Sequence, residues 1–241
     1  MPKFCLVLVL LATLLSCDDR RDIRDYYFPV RELINTEGKV YAYASTGSLP
    51  GPDTVYYYYL GVDVDTALHL TSTRYGPDLS PQQLSRQEVT NDGVRMRELI
   101  VFNPDTAGVA VPTRAEVLFD RAFPFYLAEP PSPHGYRIRL GEGPGRQTFV
   151  TLNRDFRGDT TVRIQGRAYD AITFDLRGEV SQRDAERGDI SPTFTGYEIY
   201  ARGLGLVEYY RNLGAAGTLG GRYVRALPMS EFAGSSSGPM R

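Results

Sequence analysis

Ser236, His69 and His134 are the side chains from which a hydrolase would have to be built. The run Gly234-Ser235-Ser236-Ser237-Gly238 spells G-x-S-x-G, the nucleophile elbow in which a strand-to-helix turn strains a serine into reach of a base. Here it stands in a low-complexity stretch close to Arg241, so residues 230–241 read as a disordered tail. The chain has 2 histidines. His69 falls on the polar face of an alternating stretch and His134 in a Pro-rich loop, and neither is spaced against an acid or a nucleophile. Without H-x-x-x-H spacing they imply no metal and no cofactor. Asp63, Asp65, Asp155 and Asp159 could offer oxygen ligands to calcium, yet no D-x-D-x-D-G run gathers them. Gly141-Glu142-Gly143-Pro144-Gly145-Arg146 lacks the Lys-Ser/Thr ending of a phosphate loop and reads as a hairpin loop. Arg157-Gly158-Asp159 and Arg187-Gly188-Asp189 read as turn markers. No catalytic residue is assigned, and the chain reads as a non-enzyme. The alternative is an envelope hydrolase whose carboxylates meet only in the fold.

The 2 cysteines decide more. After Met1-Pro2-Lys3 comes an apolar run over 4–15, too short for the roughly 20 residues of a bilayer span and right for the 7–15 or so of a secretory leader. Residues 1–16 therefore read as a signal peptide. Its end, Leu14-Leu15-Ser16-Cys17, resembles the bacterial lipobox, which implies that Cys17 is lipidated and becomes the first residue after cleavage. Cys5 leaves with the leader. The mature chain then keeps one Cys, bearing lipid, and disulfide, CxxC and thiolate chemistry are excluded. Acyl chains contribute about 0.8 kcal/mol per buried CH2, so the membrane is the expected partner.

Composition removes other classes. A net charge of -2 and a pI near 5.8 give no basic field for nucleic acid. With 42% hydrophobic and 23% charged residues the chain is of ordinary globular type. Residues 17–25, rich in Asp and Arg, read as the lipidated Cys and a solvated tether. Asp18-Asp19 resembles the surface-export signal of Bacteroidota lipoproteins, whereas in enterobacterial sorting an Asp there retains the protein at the inner membrane.

The elements that must position any site are strands. Leu60, Val62, Val64, Leu68 and Leu70 alternate with polar residues and predict one long strand with a buried face. Alternation recurs over 136–140, 162–164, 172–176 and 197–200, with Arg, Asp and Glu expected outward. Turn signals at Asn91-Asp92-Gly93, 141–145, 157–159 and 187–189 predict hairpins and hence an antiparallel sheet. Ser80-Pro81-Gln82-Gln83 carries helix-start signals and predicts a short helix, with 179–187 a weaker candidate. The fold class is thus mainly all-β, one domain over 26–229, a large curved antiparallel sheet or half-barrel with one or two short helices. Seventeen Tyr and eleven Phe, including Tyr56-Tyr57-Tyr58-Tyr59, supply the core or line a groove for an apolar ligand.

Asp25-Tyr26-Tyr27-Phe28-Pro29-Val30, Gly166-Arg167-Ala168-Tyr169-Asp170-Ala171-Ile172 and the 197–208 run Tyr-Glu-Ile-Tyr-Ala-Arg-Gly-Leu-Gly-Leu-Val-Glu resemble segments of a Bacteroidota lipoprotein family with no established activity. The resemblance implies a curved antiparallel sheet similar to lipoprotein-carrier half-barrels, and an outer-membrane location on the periplasmic face or the cell surface. Residues 103–133 have no counterpart in it. Gly203 and Gly205 are expected to be structural, clearing one face of a strand for a backbone or a large aromatic, or letting the sheet bend. The expected role is a lipid-anchored envelope protein that binds an apolar small molecule or an envelope protein.

Overall fold

The period-two stretches become strands. The computed structural model describes residues 20–64, 67–105, 108–127, 134–141, 146–184 and 188–236. In chain order these contain β1 (Arg21–Asp22), β2 (Lys39–Ser45), β3 (Thr54–Val64), β4 (Ala67–Tyr75), β5 (Pro81–Val89), β6 (Gly93–Pro104), β7 (Ala110–Arg114), β8 (Glu116–Phe119), β9 (Arg121–Pro124) and β10 (Tyr126–Leu127). They continue with β11 (His134–Gly141), β12 (Arg146–Ile164), β13 (Arg167–Asp184), β14 (Thr193–Ala201), β15 (Gly205–Asn212), β16 (Thr218–Pro228) and the helix α1 (Met229–Ser236).

Sequence neighbours pair antiparallel from β2 to β6 and from β11 to β16, and β16 pairs with β2 to join the two runs. The gap between β6 and β11 is bridged by residues 110–124. There β7 and β9 bond to β6, while β8 between them leans across to β11. The expected half-barrel is therefore a nearly closed barrel with an irregular seam, and the seam is built from the stretch without counterpart in the resemblance. Closure covers strand edges that would otherwise recruit other chains.

Side chains on the inner face form the core. Tyr41 and Tyr43 of β2, Tyr59 of β3, Ile172 and Phe174 of β13, Tyr200 of β14 and Tyr209 of β15 are buried in one cluster. Each such ring contributes about 2–3 kcal/mol on burial. Buried hydroxyls find acceptors: Tyr43 Oη donates to the Leu206 carbonyl at 2.8 Å, and Tyr27 Oη to Gln87 Oε1. The segment 21–36 closes one end of the barrel as a plug. β1 pairs with β10, Ile23 N donates to the Phe125 carbonyl at 2.8 Å, and Ile23, Tyr26, Tyr27, Val30 and Leu33 all join the core. A Cβ on Gly61 would lie 2.5 Å from the Val30 carbonyl oxygen, so glycine is what lets the plug backbone seat on β3.

Several expectations are corrected. The run 60–70 is not one strand but the β3–β4 hairpin, which reverses the faces: Leu70 points inward opposite Gly61, while Val64 is 49% exposed. Pro81-Gln82-Gln83 begins β5, because β4 and β6 pair with that strand on both sides, and Ser80 precedes it, with Asp78 Oδ1 taking the Ser80 N–H and hydroxyl at 3.1 and 2.6 Å. Residues 179–184 belong to β13. Gly158 is a bulge within β12, not a hairpin turn. Residues 21–25, expected in the tether, are folded: Arg21–Asp22 form β1 and a helical turn follows over Arg24–Tyr26. Residues 230–236 are not tail but part of α1, which lies against the outside of the barrel, where Phe232 is buried on Val40 and Leu227 and Ser230 N donates to Glu37 Oε2 at 2.8 Å; residues 237–241 lie outside the described residues.

Candidate functional site

Pro29 and the residues around it turn the plug sharply, so the plug fills its end of the barrel incompletely. The space left is a cavity of about 330 Å3, at the small end of ligand pockets. Phe28, Pro29 and Val30 form one wall. Leu68 and Val89, directly opposed across β4 and β5, form another, with Phe125 beside them. Its rim is charged. Arg202 Nη1 pairs with Asp25 Oδ2 at 3.2 Å and its guanidinium lies 4.9 Å over the Tyr26 ring. Arg24 Nη2 donates to Tyr126 Oη at 2.9 Å, and exposed Arg31 has no ion pair among the described residues.

Phe28 is the hinge of this wall. Its ring centroid is 4.3 Å from that of Tyr59 and 5.7 Å from that of Tyr41. Its other edge faces Gly205, where a Cβ would stand 2.7 Å from Phe28 Cδ1. Of a backbone, an aromatic or a bend, the neighbour of Gly205 is the aromatic Phe28, met at the start of β15. The run 197–208 contains the β14–β15 hairpin, with Arg202, Gly203 and Leu204 in its turn. Gly203 has a φ of +74° in open space, so its requirement is conformational alone.

Deeper in the barrel lies a charged cluster that alternation concealed. Glu198, expected outward, is 2% exposed on the inner face of β14. Its Oε2 accepts from Arg154 Nε at 2.7 Å and Tyr200 Oη at 2.8 Å, and its Oε1 from Arg211 Nη2 at 2.8 Å. Arg154 Nη1 also donates to the Ala122 carbonyl at 2.9 Å, tying β9 to β12, β14 and β15. Burial alone would raise the Glu198 carboxyl, but Arg154 and Arg211 outweigh it and hold the group at about 2. A carboxylate held that low with three donors is a structural anion, not a proton-transfer group.

The remaining candidates do not converge. His69 stands in β4 with its Nδ1 buried and unpartnered, and His134 opens β11 rather than lying in the loop. Asp155 pairs with Arg177 at 2.5 Å, Asp159 pairs with Arg21, and Asp63 sits at the exposed end of β3. Among the described residues no group of three His, Cys, Asp or Glu comes together. Ser236 ends α1, with no strand-to-helix turn around it. Cys17, Asp65 and Arg187 lie outside the described residues.

No protein-family model matches the chain, and no curated protein matches it in sequence. Two solved structures are similar. One is a "putative lipoprotein" from Parabacteroides distasonis, 11% identical, with a TM-score of 0.48 over 84% of this chain and 98% of that one. The other is a "putative exported protein with YmcC-like fold" from Bacteroides fragilis, 12% identical, with a TM-score of 0.44 over 83% and 98%.

Proposed function

We propose that the protein is a lipid-anchored component of the bacterial outer membrane whose plugged end faces the bilayer and holds an apolar chain of a membrane lipid. One observation carries this reading: the pocket is walled by residues 28–30, which begin about eleven positions after Cys17. Only Asp18 and Asp19 separate Cys17 from Arg20, and three extended residues reach about 10 Å. A lipid on Cys17 therefore keeps the plugged end at the membrane surface. The rim arginines Arg24, Arg31 and Arg202 then meet the phosphate layer, where cations are attracted to an anionic surface.

The chain has no Trp, so an introduced one reports alone. Acylated protein carrying Leu68→Trp, in vesicles containing brominated lipid, is expected to show strong quenching. Leu49→Trp, at the opposite end between β2 and β3, is expected to show little. Equal quenching, or quenching of Leu49→Trp alone, refutes the orientation. A lipid adduct in the native mass spectrum that persists in Val89→Arg refutes the pocket.

A further inference from the structure

The end of the barrel opposite the plug carries a different chemistry. Tyr57, Arg74 and Gln83 stand side by side across β3, β4 and β5, on the face that looks into the barrel. Arg211 reaches the same space from β15, its guanidinium 5.5 Å over the Tyr209 ring. Burial raises the Tyr209 hydroxyl and neighbouring Tyr57 adds to this, while Arg74 and Arg211 both act against it. Arg211 thus lies against the Tyr209 ring, and Arg74 stands beside Tyr57 on the same inner face.

Arg74 is the anomaly. Its Nε is buried without a hydrogen-bond partner, and no carboxylate pairs with it among the described residues. Other arginines without an ion pair, such as Arg31, Arg121, Arg163 and Arg225, are exposed and hydrated. Glu198 is the one buried carboxylate among the described residues, and Arg154 and Arg211 already share it. That leaves positive charge in a partly desolvated space without counter-charge, an arrangement that calls for an anion. Tyr57, Arg74 and Gln83 are half-buried, as are Val101 and Val150 of the apolar wall over Leu99 and Ile138, so part of each side chain stays accessible at this end.

We propose that this end of the barrel binds an anionic amphiphile, with its carboxylate or phosphate on Arg74 and Arg211 and its hydrocarbon along the wall of Val101, Leu140 and Val150. Arg74 offers a planar fork suited to either headgroup, Tyr57 and Gln83 add neutral donors, and the site is separate from the plug pocket.

Every described element lies at residue 20 or later, so the chain from Asp18 keeps the whole fold. Its thermal midpoint is followed at constant ionic strength in sodium chloride during titration with octanoate, octyl phosphate or octanol. Saturable stabilisation is expected from the anions and none from octanol, and the stronger anion identifies the headgroup. Arg74→Gln is expected to weaken anion binding at least tenfold, with Arg74→Lys intermediate. Stabilisation of Arg74→Gln equal to that of the parent, or octanol acting as strongly as octanoate, overturns the proposal. Should Arg74→Gln fail to fold, Arg74→Lys and the octanoate-to-octanol ratio of the parent decide.

Discussion

Replacing Gly205 by alanine puts a methyl group where the Phe28 ring lies. The Cβ would be 2.7 Å from Phe28 Cδ1 and 2.8 Å from Cγ, against about 3.5–4.0 Å for an ordinary carbon contact. The ring would have to move by about 1 Å, and it is wedged 4.3 Å from the Tyr59 ring centroid. Overpacking of this kind costs about 1–3 kcal/mol. The φ of +85° adds about 1–2 kcal/mol for any residue with a Cβ. Together these remove about 2–5 kcal/mol from a total stability of about 5–15 kcal/mol. Gly203→Ala is the control, because its φ of +74° carries the backbone penalty while no heavy atom lies within 4 Å of its Cβ. Urea unfolding of both variants, followed by near-ultraviolet dichroism of the tyrosines, should place Gly205→Ala about 1–3 kcal/mol below Gly203→Ala. Phe28→Ala combined with Gly205→Ala should recover part of the loss, with a coupling of about 1 kcal/mol or more. Equal stability of the two glycine variants, or strict additivity in the double variant, would show that the Phe28 contact does not constrain this position.

Glu198→Gln should lower unfolding stability by about 3–5 kcal/mol by leaving Arg154 without its buried counter-charge, and a loss under 1 kcal/mol would contradict the cluster. The Glu198 carboxyl is held at about 2 in the fold, below its unfolded value near 4.3, so its contribution is full above pH 5 and is lost as the pH falls toward 2. Chemical denaturation between pH 5 and pH 2 should accordingly be steeper in pH for the wild type than for Glu198→Gln. Phe232→Ala should cost about 3 kcal/mol and expose α1 to protease, whereas unchanged proteolysis would detach the helix from the barrel. Cys17→Ala should move the protein from the membrane fraction to the soluble fraction, and retention in membranes would remove the lipid anchor from the reading.

Strand content was legible because alternation is a local signal. Residues 136–140, 162–164, 172–176 and 197–200 lie in β11, β12, β13 and β14 as their pattern implies. Phase was less legible. Around Glu198 the residues on both faces are hydrophobic, with Tyr197 stacked on Tyr210 outside and Tyr200 buried inside, so nothing local says which side the carboxylate takes. Its donors come from 44 residues upstream and 13 downstream. The 60–70 run misled for a related reason, because a hairpin passes through it and even-numbered residues change face. At Ser80 the helix-start pattern was outweighed by pairing with β4 and β6, which local propensity does not encode.

Composition and spacing alone determined that the chain is mainly β, while for Gly203 and Gly205 they left a backbone, an aromatic or a bend equally open. Alternation depends on residues close in sequence, whereas the neighbour of a glycine does not. Only the tertiary structure decided that the sheet nearly closes, that residues 21–36 plug one end, and that Arg74, Arg154, Arg211 and Glu198 share an interior. Closure depends on β16 meeting β2 and on 110–124 bridging β6 and β11, contacts between segments far apart in the chain. Where an arginine points inside such a barrel is set by register across several strands, and register is a property of the whole sheet.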